Sequence, residues 1–223
     1  MKRSRTTVLF VSALSLFLIP NAGAQPPAGD KLAGMTAENV KLLRQYTWKQ
    51  RTAVKFKGEE KFVRVKQVKL DPDGKKQETV LSEKTEKPPS GPIRRAIADH
   101  KRTEMKDYVD NHLYAFIESY LPLKPERLKA ALATAQLGAV GNSMGLTMKD
   151  YQQQGDALTV SFDSATKRLL RLQLDTKLEN DPVTVTVDMS TVANGPTYPA
   201  QTKIKVPAKD IEVDISEFDL TKL

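Results

Sequence analysis

The sequence has no cysteine, only two histidines and a single tryptophan among its 223 residues. Without cysteine the chain can form no disulfide, and it offers no thiol for catalysis, redox chemistry or metal binding. The two histidines, His100 and His112, lie on one predicted helix and point about 120° apart, so they cannot jointly bind one metal ion. We therefore predict no metal site and no cofactor.

Catalytic motifs are absent as well. The sequence contains no G-x-S-x-G motif, no phosphate-binding P-loop and no dinucleotide fingerprint. An acidic run near the C-terminus is predicted to be a solubilising outer face, because carboxylates spaced along a strand diverge from calcium-binding geometry; it consists of Asp210, Glu212, Asp214, Glu217 and Asp219. We predict no catalytic residue and no enzymatic activity. The alternative is a hydrolase whose nucleophile and base meet only in the fold.

The N-terminus resembles a cleavable export signal. Lys2, Arg3 and Arg5 precede an apolar run at 8–19, and small residues follow at 22–24. The run is too short for a spanning helix, which needs about 20 residues, so a membrane anchor is the weaker alternative. We predict a signal peptide at 1–24, cut between Ala24 and Gln25, a flexible lead-in at 25–34, and a soluble periplasmic or secreted domain at 35–223.

Positive charge is concentrated in the first half of that domain. Residues 41–106 hold 19 Lys and Arg against 9 Asp and Glu, whereas residues 107–223 hold 12 against 16. One predicted strand places its basic residues on a single face, which could meet an anionic envelope component or protein; they are Lys49, Arg51, Lys55 and Lys57. Nucleic acid fits an exported protein poorly. The alternative is a solvated lysine-rich edge that prevents aggregation.

Alternating apolar residues predict most of the strands. The alternation is clearest from 157 to 219, where turn residues separate short runs such as Val183, Val185 and Val187. An earlier strand carries Trp48, Val54 and Phe56 on its inner face. The next strand, at 61–70, changes phase, which predicts a bulge or apolar contacts on both faces. Asp71-Pro72-Asp73-Gly74 predicts the hairpin turn that follows.

Between the strands lies a helical block at about 93–137. Apolar residues recur there at spacings of three and four; they are Met105, Tyr108, Val109, Leu113, Phe116, Ile117 and Tyr120. His112 falls within this stripe and is predicted to be a hydrogen-bonded core histidine. Ile93 and Ile97 lie about 110° away from it, so the helix is expected to curve or to pack on a second surface. A second helix at 126–137 and a flexible connection at 138–145 complete the block.

These patterns predict an α+β fold. About eight or nine strands form a large curved antiparallel sheet, a half-barrel, wrapped over a helical hairpin. A groove between sheet and helices is a common kind of ligand site, and its candidate lining is Trp48, Val54, Phe56, Tyr108, His112 and Phe116. Ordinary core packing is the alternative role for these side chains.

The order of elements resembles a known family. The signal peptide, the Trp-bearing strand, the hairpin on "DPDGK", the helical block and the closing strands on "TKRLLRLQL" and "YPAQTKIKV" are similar to the periplasmic outer-membrane lipoprotein carrier superfamily. The resemblance covers most of residues 35–223. It implies a half-barrel with a helical lid and an apolar groove, which in the carrier holds the acyl chains of lipoproteins, and it transfers no particular binding residue.

Two functions remain open from the sequence. The first is an exported, non-enzymatic protein that accommodates an acyl chain, a lipoprotein or another amphiphile in the groove, with the basic face meeting an anionic partner. The second is a periplasmic protein-interaction or regulatory module with a filled core and no small ligand.

Overall fold

A computed structural model describes residues 38–86, 90–121, 123, 125–140, 143–163, 165–166 and 168–223. The predicted signal peptide and lead-in lie outside these residues. The strands are β1 Tyr46–Phe56, β2 Glu59–Leu70, β3 Lys76–Thr85, β4 Gln136–Val140, β5 Ser143–Lys149, β6 Ala157–Phe162, β7 Leu169–Leu178, β8 Asp181–Thr191, β9 Thr197–Val206 and β10 Ile211–Lys222. The helices are α1 at 38–43, α2 Pro92–Asp107, α3 Tyr114–Tyr120 and α4 Pro125–Leu132, with a π-helical turn at Tyr108–Leu113 between α2 and α3.

The ten strands form one antiparallel sheet in the order β3-β2-β1-β10-β9-β8-β7-β6-β5-β4. Its two edges, β3 and β4, do not pair with each other, so the sheet is an open half-barrel, and the helices cover one face. The predicted α+β class and curved antiparallel sheet are confirmed. The chain closes on itself in the middle of the sheet, because the last strand, β10, pairs with the first, β1.

The turns and bulges follow local chemistry. Asp71 stops β2 by accepting hydrogen bonds from the backbone N–H groups of Asp73 and Lys75 at 2.9 and 2.8 Å, and Gly74 supplies the positive φ of 82°. A bulge is present in β2 at Lys61, and a second irregularity in the β2–β3 pairing lies at Leu81 of β3. The register shifts on each side of this strand, and Val63 and Val65 are half-buried on the face opposite Phe62.

The helical block ends earlier than predicted. α4 stops at Leu132, and residues 136–140 form the edge strand β4 rather than the end of a helix. β4 pairs with β5 from Gln136 opposite Thr147 to Val140 opposite Ser143, so the predicted flexible connection contains strand residues. This segment has no apolar alternation because it contains glycine and alanine. It is a strand because it pairs with its neighbour β5.

Candidate functional site between the sheet and its helical cover

One row of cross-strand neighbours runs across eight strands of the helix-covered face. Each residue is paired directly with the next; the row is Phe62, Val54, Val213, Ile204, Val185, Leu174, Leu158 and Met148. All eight side chains are buried, with exposures from 0 to 8 %. We call this row the apolar belt. It is a continuous hydrocarbon surface that extends over most of the width of the sheet.

The cover over the apolar belt comes from the π-helical turn, α3 and α4. Its buried side chains belong to the same core cluster as the belt; they are Val109, Leu113, Ile117, Tyr120 and Leu128. A cavity of about 30 Å³ lies beside Val54, Phe62, Met105 and Val109, and it has room for about one water molecule. Sheet and helices are therefore in close contact in this conformation.

Helix α2 is attached differently from the rest of the cover. None of its sixteen residues is buried. Arg102 donates a hydrogen bond to the backbone carbonyl of Glu86 at 3.0 Å, and the Lys106 ammonium lies 3.7 Å from the Glu83 carboxylate. Lys106 also lies 5.4 Å from the centre of the Phe62 ring, beside the cavity. α2 thus contacts the sheet through a few polar groups near its C-terminal end and through the half-buried Met105.

The structure brings five of the six predicted groove residues to the covered face or its margin. Val54 lies in the apolar belt, and Phe56, Tyr108 and Phe116 are half-buried against the core cluster. Trp48 is 3 % exposed but lies outside that cluster, at the polar end of the same face. The sixth residue, His112, does not join them.

His112 is not a core histidine, which corrects the prediction. Its side chain is 57 % exposed, and its ring stacks on Tyr108 with the centroids 6.1 Å apart. The π-helical turn explains the error, because a wider turn changes the angle between successive residues. The buried positions in this part of the chain are Val109, Leu113 and Ile117. A helical wheel drawn at 100° per residue cannot anticipate that rotation.

The predicted basic face is largely neutralised by carboxylates. Lys49 pairs with Asp219 at 3.0 Å and Arg51 with Glu60 at 2.7 Å. Lys55 contacts Asp214 at 2.5 Å and Glu212 at 3.4 Å, and the hydrogen bond that its ammonium donates to the Asp214 carboxylate raises the pKa of Lys55. The fourth residue, Lys57, lies 5.5 Å from the centre of the Phe56 ring. The β1–β10 pairing thus brings the acidic run beside the basic residues and reduces the charge that they present.

A buried polar cluster at one end of the covered face was not anticipated. Glu217 was predicted to point outward with the acidic run, but it is 7 % exposed and lies opposite Gln50, whose amide donates a hydrogen bond to it at 3.1 Å. Its odd position, against the even positions of Glu212 and Asp214, was the signal in the sequence. Thr52, 8 % exposed, lies on the same face and hydrogen-bonds to Tyr114, whose pKa burial raises to about 12.

The Glu217 carboxyl is held in an environment that favours its neutral form. Burial raises its pKa, and the charge of Lys76 and the polar groups of Gln50 and Trp48 only partly oppose that effect. A glutamate with a raised pKa in the folded state stabilises the fold below its ordinary value of 4.5. That contribution is lost as the pH rises through the raised value.

We therefore expect Glu217→Gln to stabilise the protein at alkaline pH by about 1 kcal/mol, because the amide keeps the shape and never ionises. The difference in free energy of unfolding between variant and wild type should increase as the pH rises above 4.5. Urea denaturation across this range measures it. Glu212→Gln, on the opposite face of the same strand and paired with lysines, should give no such gain. A difference that stays constant with pH would contradict the prediction.

Within the described residues, no group of three His, Asp or Glu side chains is placed to hold a metal ion. None of the described helices combines the length and the hydropathy that crossing a membrane requires.

Comparisons with known proteins find similarity in structure only. No family model matches the sequence, and no curated protein matches it. The chain is similar to a crystal structure of a DUF1329 family protein from Desulfovibrio piger, at 11 % identity and a TM-score of 0.47, with 89 % of this chain and 94 % of that chain covered. It is also similar to a Vibrio parahaemolyticus domain described as an outer membrane lipoprotein-sorting protein domain, at 11 % identity and a TM-score of 0.42, with 87 % and 93 % covered. The fold stated above rests on this chain's own strand order and register.

Proposed function

We propose that this chain is an exported, non-enzymatic binding protein that accommodates an acyl chain, a lipoprotein or another amphiphile between the sheet and its helices. After signal cleavage it would act in the periplasm or outside the cell. The observation that carries the proposal is the apolar belt beneath a cover of which one helix, α2, buries no residue.

In this proposal, a ligand enters by displacing α2 and then contacts the surface that α2 leaves. The described contacts of α2 are few and, apart from that of the half-buried Met105, polar, and segments held by few buried contacts open at low free-energy cost. Opening would expose Phe62 and Val54, the first two residues of the apolar belt, and Val109 on the π-helical turn. Burial of an acyl chain is worth about 0.8 kcal/mol per methylene group, so a chain of ordinary length offsets the loss of those contacts.

An anionic partner at the basic face is also part of the proposal. Lys49, Arg51 and Lys55 have carboxylate partners in the fold. A partner at the face that they share with Lys57 would therefore have to compete with existing ion pairs. Exposed ion pairs contribute about 0 to 1 kcal/mol each, so such competition is feasible but weakens any attraction by this face.

A reversible cross-link tests entry beneath α2. Thr85 and Met105 line the small cavity from the sheet and the helix, and the chain has no other cysteine to interfere. The double variant Thr85→Cys and Met105→Cys, closed with a reducible bis-thiol reagent, should take up an acyl-chain fluorophore at least tenfold less well than the same protein after reduction. Fluorescence titration and native mass spectrometry of the lipid-bound species measure the effect.

The control places a cross-link away from the helices. Thr191 and Thr197 are cross-strand neighbours whose hydroxyl oxygens lie 3.0 Å apart in the β8–β9 hairpin. A disulfide between cysteines at these positions should leave uptake unchanged. If the double variant Thr85→Cys and Met105→Cys binds the fluorophore equally well when cross-linked and when reduced, the proposal that the ligand enters beneath α2 is wrong.

One observation favours the alternative, a protein-interaction or regulatory module without a small ligand. The cavity between sheet and helices measures only about 30 Å³, as expected for a filled core. Protein purified under native conditions that carries no lipid, and that takes up no apolar fluorophore in either cross-linked or reduced form, would support this alternative. Salt-sensitive capture by an envelope protein, abolished by charge reversal at Lys49, Arg51 and Lys55, would then identify its docking face.

A further inference from the structure

The first ten residues of α2, 92–101, form a helix segment with two exposed isoleucines. Ile93 is 75 % exposed and Ile97 is 53 % exposed, the former being the most exposed large apolar side chain among the described residues. They are four residues apart and therefore lie one above the other on the same side of the helix. We call residues 92–101 the helix arm. Both isoleucines of the helix arm therefore lie outside the hydrophobic core.

The isoleucine side of the arm does not face the sheet. The residues through which α2 meets the rest of the chain, Arg102 and Met105, lie about 100° or more around the helix from the midpoint between Ile93 and Ile97. Only the C-terminal end of α2 makes those contacts with Glu83, Glu86 and Phe62. A π-helical turn follows α2 and changes the angle between successive residues there. The face that α3 packs on the sheet therefore does not continue along α2 as the side that carries the isoleucines.

The charge of the helix arm is positive beside its apolar side. Residues 92–98 contain Arg94 and Arg95 and no acidic residue. The first acid of α2, Asp99, already accepts a hydrogen bond from Arg102 at 3.0 Å. The next, Glu104, lies beyond the helix arm on the isoleucine side of α2, with its carboxylate 3.2 Å from His100 Nε2. Arg94 and Lys101 have no ion pair within the described residues, and they lie about 60–80° around the helix from the midpoint between the two isoleucines. Long basic side chains at the margin of an apolar stripe can reach the headgroup level of a lipid surface.

We propose that the helix arm docks on an anionic lipid bilayer, with Ile93 and Ile97 inserted at the headgroup–acyl boundary and Arg94 and Lys101 on lipid phosphates. Exposed apolar residues flanked by unpaired cations on one helix fit an interfacial helix, and each cation adds attraction to an anionic surface. An acidic protein would satisfy the cations but offers no general reason for two exposed isoleucines. The docking does not require the groove to hold a ligand.

Sedimentation with lipid vesicles tests the proposal. The full chain without its signal peptide should bind vesicles of mixed phosphatidylglycerol and phosphatidylcholine, bind pure phosphatidylcholine vesicles much less, and be released as salt is raised. The double variant Ile93→Ser and Ile97→Ser should lose at least tenfold in partition coefficient, since two large apolar side chains leave the interface. The variant Arg94→Gln and Lys101→Gln should lose about tenfold on the anionic vesicles only.

Matched variants separate the helix arm from general surface properties. Val80→Ser with Leu81→Ser removes two side chains that are 54 and 51 % exposed on β3. Lys69→Gln with Lys222→Gln removes two exposed cations elsewhere. Both pairs should leave vesicle binding within about twofold of wild type, a change of less than 0.5 kcal/mol. Circular dichroism should show every variant folded, because all the positions are exposed.

Three outcomes would overturn the proposal: no binding of the wild type to anionic vesicles, equal binding of the isoleucine variant, or equal loss in the β3 variant. Its failure is distinct from failure of the proposed function. Uptake of a soluble acyl-chain fluorophore is measured without vesicles and depends on the space beneath α2, whereas vesicle binding depends on the outer side of the helix arm.

Discussion

Asp156→Ala is expected to lower the free energy of unfolding by about 4 kcal/mol. Asp156 is 2 % exposed and accepts four hydrogen bonds. Its Oδ2 receives the Tyr120 hydroxyl at 2.9 Å and the backbone N–H groups of Gln152 and Gln153 at 3.1 and 2.9 Å. Its Oδ1 receives the Thr176 hydroxyl at 2.6 Å. Alanine removes the acceptor of all four donors. The two backbone N–H groups are partly buried, and the Tyr120 hydroxyl keeps only the Thr176 hydroxyl, 3.1 Å away. A buried donor left without an acceptor costs about 1–3 kcal/mol.

The position of this network explains why the effect should be large. Tyr120 ends α3, Gln152 and Gln153 belong to the turn after β5, and Thr176 lies on β7, so one carboxylate connects the helical cover to two parts of the sheet. Burial raises the pKa of Tyr120 to about 12, and its phenol therefore remains a donor over the whole range in which the protein is handled. Losing the carboxylate should loosen the end of the cover as well as reduce stability.

Two variants control for this prediction, measured by urea denaturation. Asp156→Asn keeps an oxygen for the Oδ2 donors and turns an amide towards Thr176, so it should cost about 1 kcal/mol. Asp163→Ala removes a similar turn acceptor, which binds the backbone N–H groups of Ala165 and Thr166 at an exposed site, and should cost about 1 kcal/mol or less. A loss for Asp156→Ala no greater than these would show that water replaces the carboxylate.

Leu113→Ala is expected to cost about 3 kcal/mol, from the lost burial and the cavity left behind. Leu113 is 0 % exposed in the π-helical turn and belongs to the cluster that holds the cover on the sheet. Ile97→Ala removes an apolar side chain from α2, where it is 53 % exposed, and should cost less than about 0.5 kcal/mol. Thermal and urea denaturation of the two variants measure the contrast.

The same pair of variants reports on the two parts of the cover. If the helices from Val109 to Tyr120 are the anchored part and α2 is the displaceable part, the space created at Leu113 adds to the apolar volume near the belt. Uptake of a small apolar fluorophore should then rise in Leu113→Ala and stay unchanged in Ile97→Ala. Equal destabilisation by the two substitutions would contradict the division of the cover that the burial pattern indicates.

Local patterns predicted the elements whose cause is local. Alternation located β1 and the strands from β6 to β10, since one face of each is buried in a sheet covered on one side. Asp71 and Gly74 predicted their hairpin because the turn needs a side-chain acceptor and a positive φ. Val109, Leu113 and Ile117 were in the predicted helical stripe, and all three are buried.

The predictions failed where distant pairing or a non-standard turn determined the structure. β4 has no alternation of its own and exists because it pairs with β5. His112 is exposed because the π-helical turn changes the rotation of the helix there. The helix does not curve so as to bring Ile93 and Ile97 onto the core, and the two side chains do not pack on a second described surface. They are exposed on α2.

By itself, the sequence determined the α+β class, the one-sided sheet and the turns, because periodicity and turn chemistry act within a few residues. Only the tertiary structure decided which charges neutralise one another. β10 pairs with β1 across more than 150 residues of chain. Lys55 therefore contacts Asp214, and the basic residues of β1 lie beside the acidic residues of β10. The same pairing buries Glu217 beside Gln50 on the covered face. Burial and charge at a site depend on contacts between distant segments, and these exist only once the sheet has formed.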